Sequence, residues 1–170
     1  MIKPLFAKYA SVKLSLFLLV LMIVFNALIM PGLAGDEQIV PIDLQFAYSA
    51  DRAYELIDSY SAETRHTYMI GEMTKDVLYP ITYTLFLSLT LLLLYPKNDK
   101  IPLVPYVVFI ADMLENTGII TMLYNYPEKL KTVAIFTSGF STIKWSLVII
   151  MLLVLVFGLA KAIKNKFKKA

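Results

Sequence analysis

Residues 101–124 read IPLVPYVVFIADMLENTGIITMLY. About 20 apolar residues cross the hydrocarbon core of a bilayer as a helix, so this stretch is long enough to span it. Its middle carries Asp112, Glu115 and Asn116, which share one helix face because they are spaced by three and four residues. A charge at that depth costs about 2.5 kcal/mol or more, and such groups usually face a partner or a water-filled cavity. The stretch therefore predicts a membrane helix with a functional face.

Three further apolar runs accompany this one. The chain has 170 residues, of which 58% are hydrophobic and 17% are charged, and its mean hydropathy is +0.67. That balance is too apolar for a soluble domain. We predict an all-α protein, a four-helix transmembrane bundle that forms a single integral membrane domain over residues 1–170. Its spans are expected at about 12–32, 66–95, 101–124 and 133–160.

Several function classes are excluded by what the sequence lacks. The chain has no cysteine, which excludes disulfides, thiolate metal sites and thiol nucleophiles. It also has no glycine-rich phosphate loop, serine-nucleophile elbow or histidine-based zinc motif. The net charge of +3 comes from lysines at the ends of the spans, a pattern that indicates topology rather than nucleic-acid binding.

The lysines predict the orientation. They cluster at residues 3–13, 97–100 and 161–169, whereas the loop between the first two spans is acidic. By the positive-inside rule both termini are cytoplasmic and the acidic loop lies outside, although Lys129 and Lys131 fall in the other outer loop. A cleavable signal peptide ending near Gly32-Leu33-Ala34 is the alternative for the N-terminus. Its apolar run exceeds the roughly 7 to 15 residues of a signal core, which favours a retained span.

The acidic outer loop contains a predicted amphipathic helix. Ala53, Tyr54, Leu56, Ile57 and Tyr60 recur at helical spacing. Ser49 and Ser61 are suited to cap this helix and the next one. The helix either packs against lipid and neighbouring helices or forms a lid over the mouth of the bundle. A protein partner could bind through its acidic surface.

Polar residues also form stripes on the second and fourth spans. Glu72, Asp76, Tyr79 and Tyr83 occupy nearly one face of the second span, and Ser141 and Lys144 share a face of the fourth. We expect these stripes to converge with that of the third span around one polar cavity open to the outer face. A single lysine cannot neutralise all the carboxylates there, so at least one acid should be protonated, hydrated or bound to a cation.

The convergence assigns roles to nine residues. The catalytic candidates are Asp76, Asp112, Glu115 and Lys144. The ligand-binding candidates are Glu72, Tyr79, Tyr83, Asn116 and Ser141. A carboxylate-only site built from Glu72, Asp76, Asp112 and Glu115 could hold magnesium, manganese or calcium, although the spacing matches no specific metal motif. Alternatively, the charges form a structural lock in which Lys144 pairs with an acid of the third span, or they form an ion path.

Three short motifs follow one another along the chain. They are Asp76-x-x-Tyr79-Pro80, Asp112-x-x-Glu115-Asn116 and Ser141-x-x-Lys144-Trp145. Together they resemble a pattern shared by small, functionally uncharacterised four-span membrane proteins of microbes, over roughly residues 41–145. The resemblance implies a four-span fold in a microbial plasma membrane, and it implies no reaction, cofactor or partner.

Two hypotheses of function from different classes follow. In the first, the protein processes or binds a lipid or small amphiphile, with Asp112 or Glu115 as general acid or base and Lys144 stabilising an anion. In the second, it is a non-enzymatic assembly subunit whose buried charges fix helix register. A proton- or cation-coupled carrier is disfavoured because no inverted repeat is visible.

Overall fold

The computed structural model describes residues 7–29 and 39–168, and this part of the chain is helical without any strand. A π-helical stretch, Phe25–Ile29, continues the first helix. Short 3-10 segments lie at Ala7–Tyr9, before the first helix, and at Ile101–Leu103, before the fourth. The five α-helices are α1 (Val12–Val24), α2 (Ala50–Ser59), α3 (Ala62–Leu94), α4 (Val104–Asn125) and α5 (Lys131–Phe167). The all-α prediction and the short helix between the first two spans are confirmed.

Four helical segments are long and apolar enough to cross a membrane. They are Val12–Ile29, Ala62–Leu94, Ile101–Asn125 and Lys131–Phe167. The fourth runs seven residues beyond its predicted end at 160. Its last turn carries Lys164 and Lys166, whose positive charge is favourable at a helix C-terminus. The predicted end of the first span, the possible signal cleavage site and the acids at 36 and 37 lie outside the described residues.

The close contact between α4 and α5 depends on one glycine. A Cβ atom on Gly118 would lie 2.0 Å from the side-chain oxygen of Thr137 on α5, far inside van der Waals contact. The absence of a side chain at this position lets the two backbones approach, as small residues do at helix interfaces in membranes. The helix on the other side of α4 is α3, and α1 packs on α3.

Helix α2 lies across one end of the bundle. Ser49 caps it by accepting a hydrogen bond from the Arg52 amide, and Ser61 caps α3 in the same way through Thr64. The apolar face of α2 is buried, with Tyr54 and Ile57 packed in one cluster with residues of α3, α4 and α5. We call this end of the bundle the α2 end. Of the two predicted arrangements, the structure shows the packing of α2 against neighbouring helices.

Two ion pairs connect the exposed face of α2 to the loop and helix that follow α4. Lys129 donates to the carboxylate of Asp58 over 2.6 Å, and Lys131 donates to that of Asp51 over 2.8 Å. These hydrogen bonds lower the pKa of both aspartates and raise the pKa of Lys129. Because all four side chains are solvent-exposed, the pairs contribute little to stability.

We predict that burial rather than charge holds α2 in place. Ile57→Ala should reduce the free energy of unfolding by about 2–5 kcal/mol, because it leaves a cavity in a fully buried position. Lys131→Ala, which removes only an exposed ion pair with Asp51, should leave it nearly unchanged. Hydrogen exchange of the α2 amides measures both variants. Equal losses of protection in the two variants would contradict this prediction.

Candidate functional site

Lys144 of α5 is the centre of the polar interior. Its ammonium group lies 3.2 Å from a carboxylate oxygen of Asp112 and in direct contact with the carboxylate of Glu115, both on α4. It also donates to the backbone carbonyl of Asp43 over 3.2 Å. All three side chains are buried. The structure thus brings together two of the predicted catalytic acids and the predicted lysine, in the arrangement that the structural-lock hypothesis describes.

Helix α3 joins this network through Tyr83 and through the backbone of Asp76. The Tyr83 hydroxyl donates to the second carboxylate oxygen of Asp112 over 2.7 Å. Pro80 has no amide hydrogen, so the carbonyl four residues earlier, on Asp76, has no donor within the helix. The side-chain amide of Asn116 donates to that carbonyl over 2.8 Å. Asn116 thus supplies the donor that Pro80 removes from the helix.

A segment before α2, residues 39–49, completes the site. We call it the connecting segment. Its Asp43 is buried, and the carboxylate accepts a hydrogen bond from the Tyr68 hydroxyl of α3. The carbonyl of Asp43 accepts hydrogen bonds from Lys144 and, over 3.1 Å, from the Trp145 indole. Ser141 donates to the carbonyl of Gln45 over 2.5 Å.

Asp43 is a site residue that sequence reasoning missed. In the sequence it is one of several acidic residues of the outer loop that indicate orientation. One signal was present, because Asp43 lies in the run Ile39-Val-Pro-Ile-Asp-Leu44, where an isolated acid interrupts an apolar stretch. That run is too short and too broken by proline to predict burial from periodicity.

Three carboxylates gather beside the lysine network. Oxygens of Asp43, Glu72 and Asp76 lie within 4.8 Å of one another, and all three residues are buried. We call these three residues the acid trio. Of the four metal ligands predicted from the sequence, only Glu72 and Asp76 belong to the acid trio. The other two, Asp112 and Glu115, contact Lys144 instead. In the described part of the chain, five buried carboxyl groups therefore share one buried ammonium group.

A groove of about 360 Å³ lies against these polar residues. Its polar end is formed by Asp43, Asp76, Asp112 and Lys144, with Asn26 of the π-helical stretch donating to the Tyr79 hydroxyl over 2.8 Å. Its remaining walls are mainly apolar side chains of α1, α3 and α5. They include Met22, Phe86, Leu87, Val148, Leu152 and Leu155.

The predicted site residues divide into two groups by their position relative to the groove. Asp76, Tyr79, Tyr83, Asp112 and Lys144 line it. The others, which are Glu72, Glu115, Asn116 and Ser141, do not line it and are buried between helices. Glu115 therefore contacts Lys144 on the side away from the groove and has no direct access to a molecule bound there.

The chain matches no protein family, curated protein or solved structure in comparisons with each. The motifs that carry the resemblance to small four-span proteins nevertheless meet in the structure. Pro80 leaves a carbonyl free, Asn116 binds it, and Asp112 pairs with Lys144. Trp145 binds the connecting segment. Residues far apart in sequence thus belong to one hydrogen-bond network.

We predict that Asn116 and Pro80 are energetically coupled. Asn116→Leu should cost about 1–3 kcal/mol, because it leaves the buried carbonyl of Asp76 without a donor. In a Pro80→Ala background the helix regains its own amide donor, so the same substitution should cost less. A double-mutant cycle of unfolding free energies measures this coupling. An equal cost in the two backgrounds would show that Asn116 does not act through this carbonyl.

Lys144 should be indispensable for stability while its acidic neighbours remain charged. Lys144→Met should reduce the free energy of unfolding by about 3–5 kcal/mol, since it leaves buried carboxylates without their partner. Combining Lys144→Met with Glu115→Gln should recover part of the loss, because the amide carries no charge. Denaturation in mixed micelles compares the two variants. A Lys144→Met protein as stable as the parent would refute the ion-pair account.

Proposed function

We propose that the protein is an integral membrane protein whose groove binds one lipid or small amphiphile. The exposed surfaces of the four candidate spans support insertion into a membrane. Large apolar side chains remain exposed along α1 and α5, among them Phe17, Ile149, Leu153 and Phe157. A soluble monomer rarely exposes so much contiguous apolar surface. By the positive-inside rule, the lysine distribution supports cytoplasmic termini and an α2 end on the outside. The resemblance to small four-span microbial proteins supports a microbial plasma membrane.

The groove carries the argument for an amphiphile. Its volume of about 360 Å³ falls in the range of small-molecule sites, and such sites combine apolar walls with a few placed polar groups. Here the polar groups lie together at one end, beside Asp112 and Lys144. The apolar walls extend away from them along α3 and α5. A ligand with a polar head and a hydrocarbon tail satisfies both parts at once, whereas a fully polar solute would leave the apolar walls uncovered.

Asp76 is the best candidate for acid–base chemistry on the head of that ligand. It lines the groove and has no ion-pair partner among the described residues. Asp112 also faces the groove, but Tyr83 and Lys144 both bind its carboxylate. A general acid or base must reach the proton that it transfers. We therefore assign proton transfer to Asp76, charge stabilisation to Lys144 and the positioning of Lys144 to Glu115.

The alternative is an assembly subunit that performs no chemistry. One observation favours it: Glu115 and Asn116 are fully buried between helices and satisfy groups of neighbouring elements. Both functions of the charges are compatible, since a lock formed by Glu115 and Lys144 still leaves Asp76 facing the groove. The acidic surface of α2 gives less support to a charged partner. Its exposed acids Asp51 and Asp58 already pair with lysines of this chain.

Two tryptophan substitutions on α5 test the groove. Leu152 lines it and is 50% exposed, whereas the neighbouring Leu153 is 67% exposed and lies outside it. Leu152→Trp should fill the apolar part and remove a co-purifying lipid, which native mass spectrometry of the protein extracted from membranes would detect. Leu153→Trp adds the same side chain to the surface and should leave the lipid bound.

Three outcomes are informative for this proposal. Loss of the lipid only in Leu152→Trp supports a ligand in the groove. Loss in neither variant, or in both, would refute it, as would a parent protein that retains no lipid. Asp76→Asn should keep the lipid bound, and an altered proportion of its head-group forms, measured by lipidomics, would support chemistry over binding alone.

A further inference from the structure

We propose that the acid trio, Asp43, Glu72 and Asp76, binds one hard divalent cation of the Ca²⁺, Mn²⁺ or Mg²⁺ class. Each residue can offer a carboxylate oxygen, and these oxygens lie within 4.8 Å of one another. Carboxylates are the side chains that such cations prefer. Oxygens on opposite sides of a Ca²⁺ ion, at bond lengths of about 2.3–2.6 Å, are separated by roughly 4.6–5.2 Å. The spacing of the trio is therefore compatible with a shared ion.

The trio is built from two distant parts of the chain. Glu72 and Asp76 lie one turn apart on α3, so both side chains point to the same side of that helix. Asp43 reaches them from the connecting segment, which is anchored separately to α5 through Ser141 and Trp145. Folding thus brings three carboxyl groups together in a buried site, where three ionised carboxylates would repel one another. Their mutual repulsion is strong at low dielectric and requires compensation.

Glu72 supplies an independent indication of a missing partner. Only 1% of its surface is exposed, and its Oε2 atom is buried without a hydrogen-bond donor. A buried polar atom in this state carries a full desolvation penalty. The buried side-chain oxygen of Asn116 also lacks a donor, and its amide nitrogen is bound to the carbonyl of Asp76. A bound cation is a group that several neighbouring oxygen acceptors without donors can share.

The nearby ammonium group of Lys144 does not neutralise the carboxylates of the acid trio. Lys144 is the buried ammonium group of the described chain, and its side-chain partners are Asp112 and Glu115. It contacts Asp43 through the backbone carbonyl and not through the carboxylate. A proton shared between Glu72 and Asp76, together with the Tyr68 hydroxyl that donates to Asp43, is the competing way to compensate the trio. A divalent cation contacts all three.

The proposed ion would lie at the wall of the groove, because Asp43 and Asp76 also line it. It would additionally connect the connecting segment to α3. Asp76 would transfer a proton only while the ion is absent. The cation site does not depend on the identity of any amphiphile. A protein that binds the ion and retains no lipid would refute only the groove proposal, and the reverse result would refute only the cation proposal.

The test uses the full-length protein in detergent after removal of metal with a chelator. We expect Ca²⁺, Mn²⁺ or Mg²⁺ to raise the Tm in a saturable manner, since an ion that binds only the folded state stabilises it. Tb³⁺ should bind the same oxygens and emit by energy transfer from Tyr68, which touches Asp43. Ca²⁺ should displace this emission.

Isosteric variants assign the signal to the trio. Glu72→Gln and Asp43→Asn each keep the shape of the side chain and remove one charge, so each should weaken binding by about tenfold or more. Asp51→Asn removes an exposed acid on α2 and should leave the affinity unchanged. In chelator, Glu72→Gln should melt at or above the Tm of the parent because it relieves repulsion, which also shows that the variant folds.

Two results would overturn the proposal. One is a parent protein that shows no saturable response to any of the three cations and no Tb³⁺ emission sensitised by tyrosine. The other is an affinity in both trio variants equal to that of Asp51→Asn. If one trio variant fails to fold, the other variant and the competition between Tb³⁺ and Ca²⁺ in the parent decide the question.

Discussion

The contact of the Lys144 ammonium group with α4 and the connecting segment is the interaction on which the rest of the structure depends. It binds two carboxylates of α4 and the backbone of the connecting segment while itself belonging to α5. A buried ammonium group requires such partners, because the free-energy cost of its desolvation is otherwise not compensated. The same requirement fixes the register of α4 against α5 and draws the segment before α2 into the bundle. A charge that is expensive to bury thereby specifies the arrangement of three elements.

The polar interior has two sides that differ in their access to the groove. Glu115 and Asn116 lie between helices and satisfy a lysine and a proline-freed carbonyl, so they maintain the structure. Asp43, Asp76 and Asp112 face the groove. The structural-lock and ligand-site hypotheses therefore concern two different faces of the same polar cluster. An excess of carboxylates over ammonium groups remains on the side of the acid trio, and this excess is the basis of the proposed cation site.

The sequence was sufficient to predict the helices and most of the polar residues. Long apolar runs predict spans by length alone, and acids spaced at i, i+3 and i+4 must share a face. The caps at Ser49 and Ser61 followed from local chemistry and are confirmed. Asp43 was not predicted, because its burial depends on how a nonhelical segment folds back between helices. Periodicity also does not show from which side Glu115 approaches Lys144. That direction depends on the close contact of α4 and α5 at Gly118.

The insertion of the connecting segment into the bundle is the central claim, and disulfide trapping tests it directly in this cysteine-free chain. The side-chain oxygen of Thr142 lies 3.2 Å from the carbonyl oxygen of Phe46. Phe46→Cys with Thr142→Cys should therefore crosslink rapidly under mild oxidation in native membranes. Phe46→Cys with Ile149→Cys, about 10 Å further along α5, should not. Equal crosslinking of the two pairs, or none in the first, would contradict a connecting segment held against α5 beside Lys144.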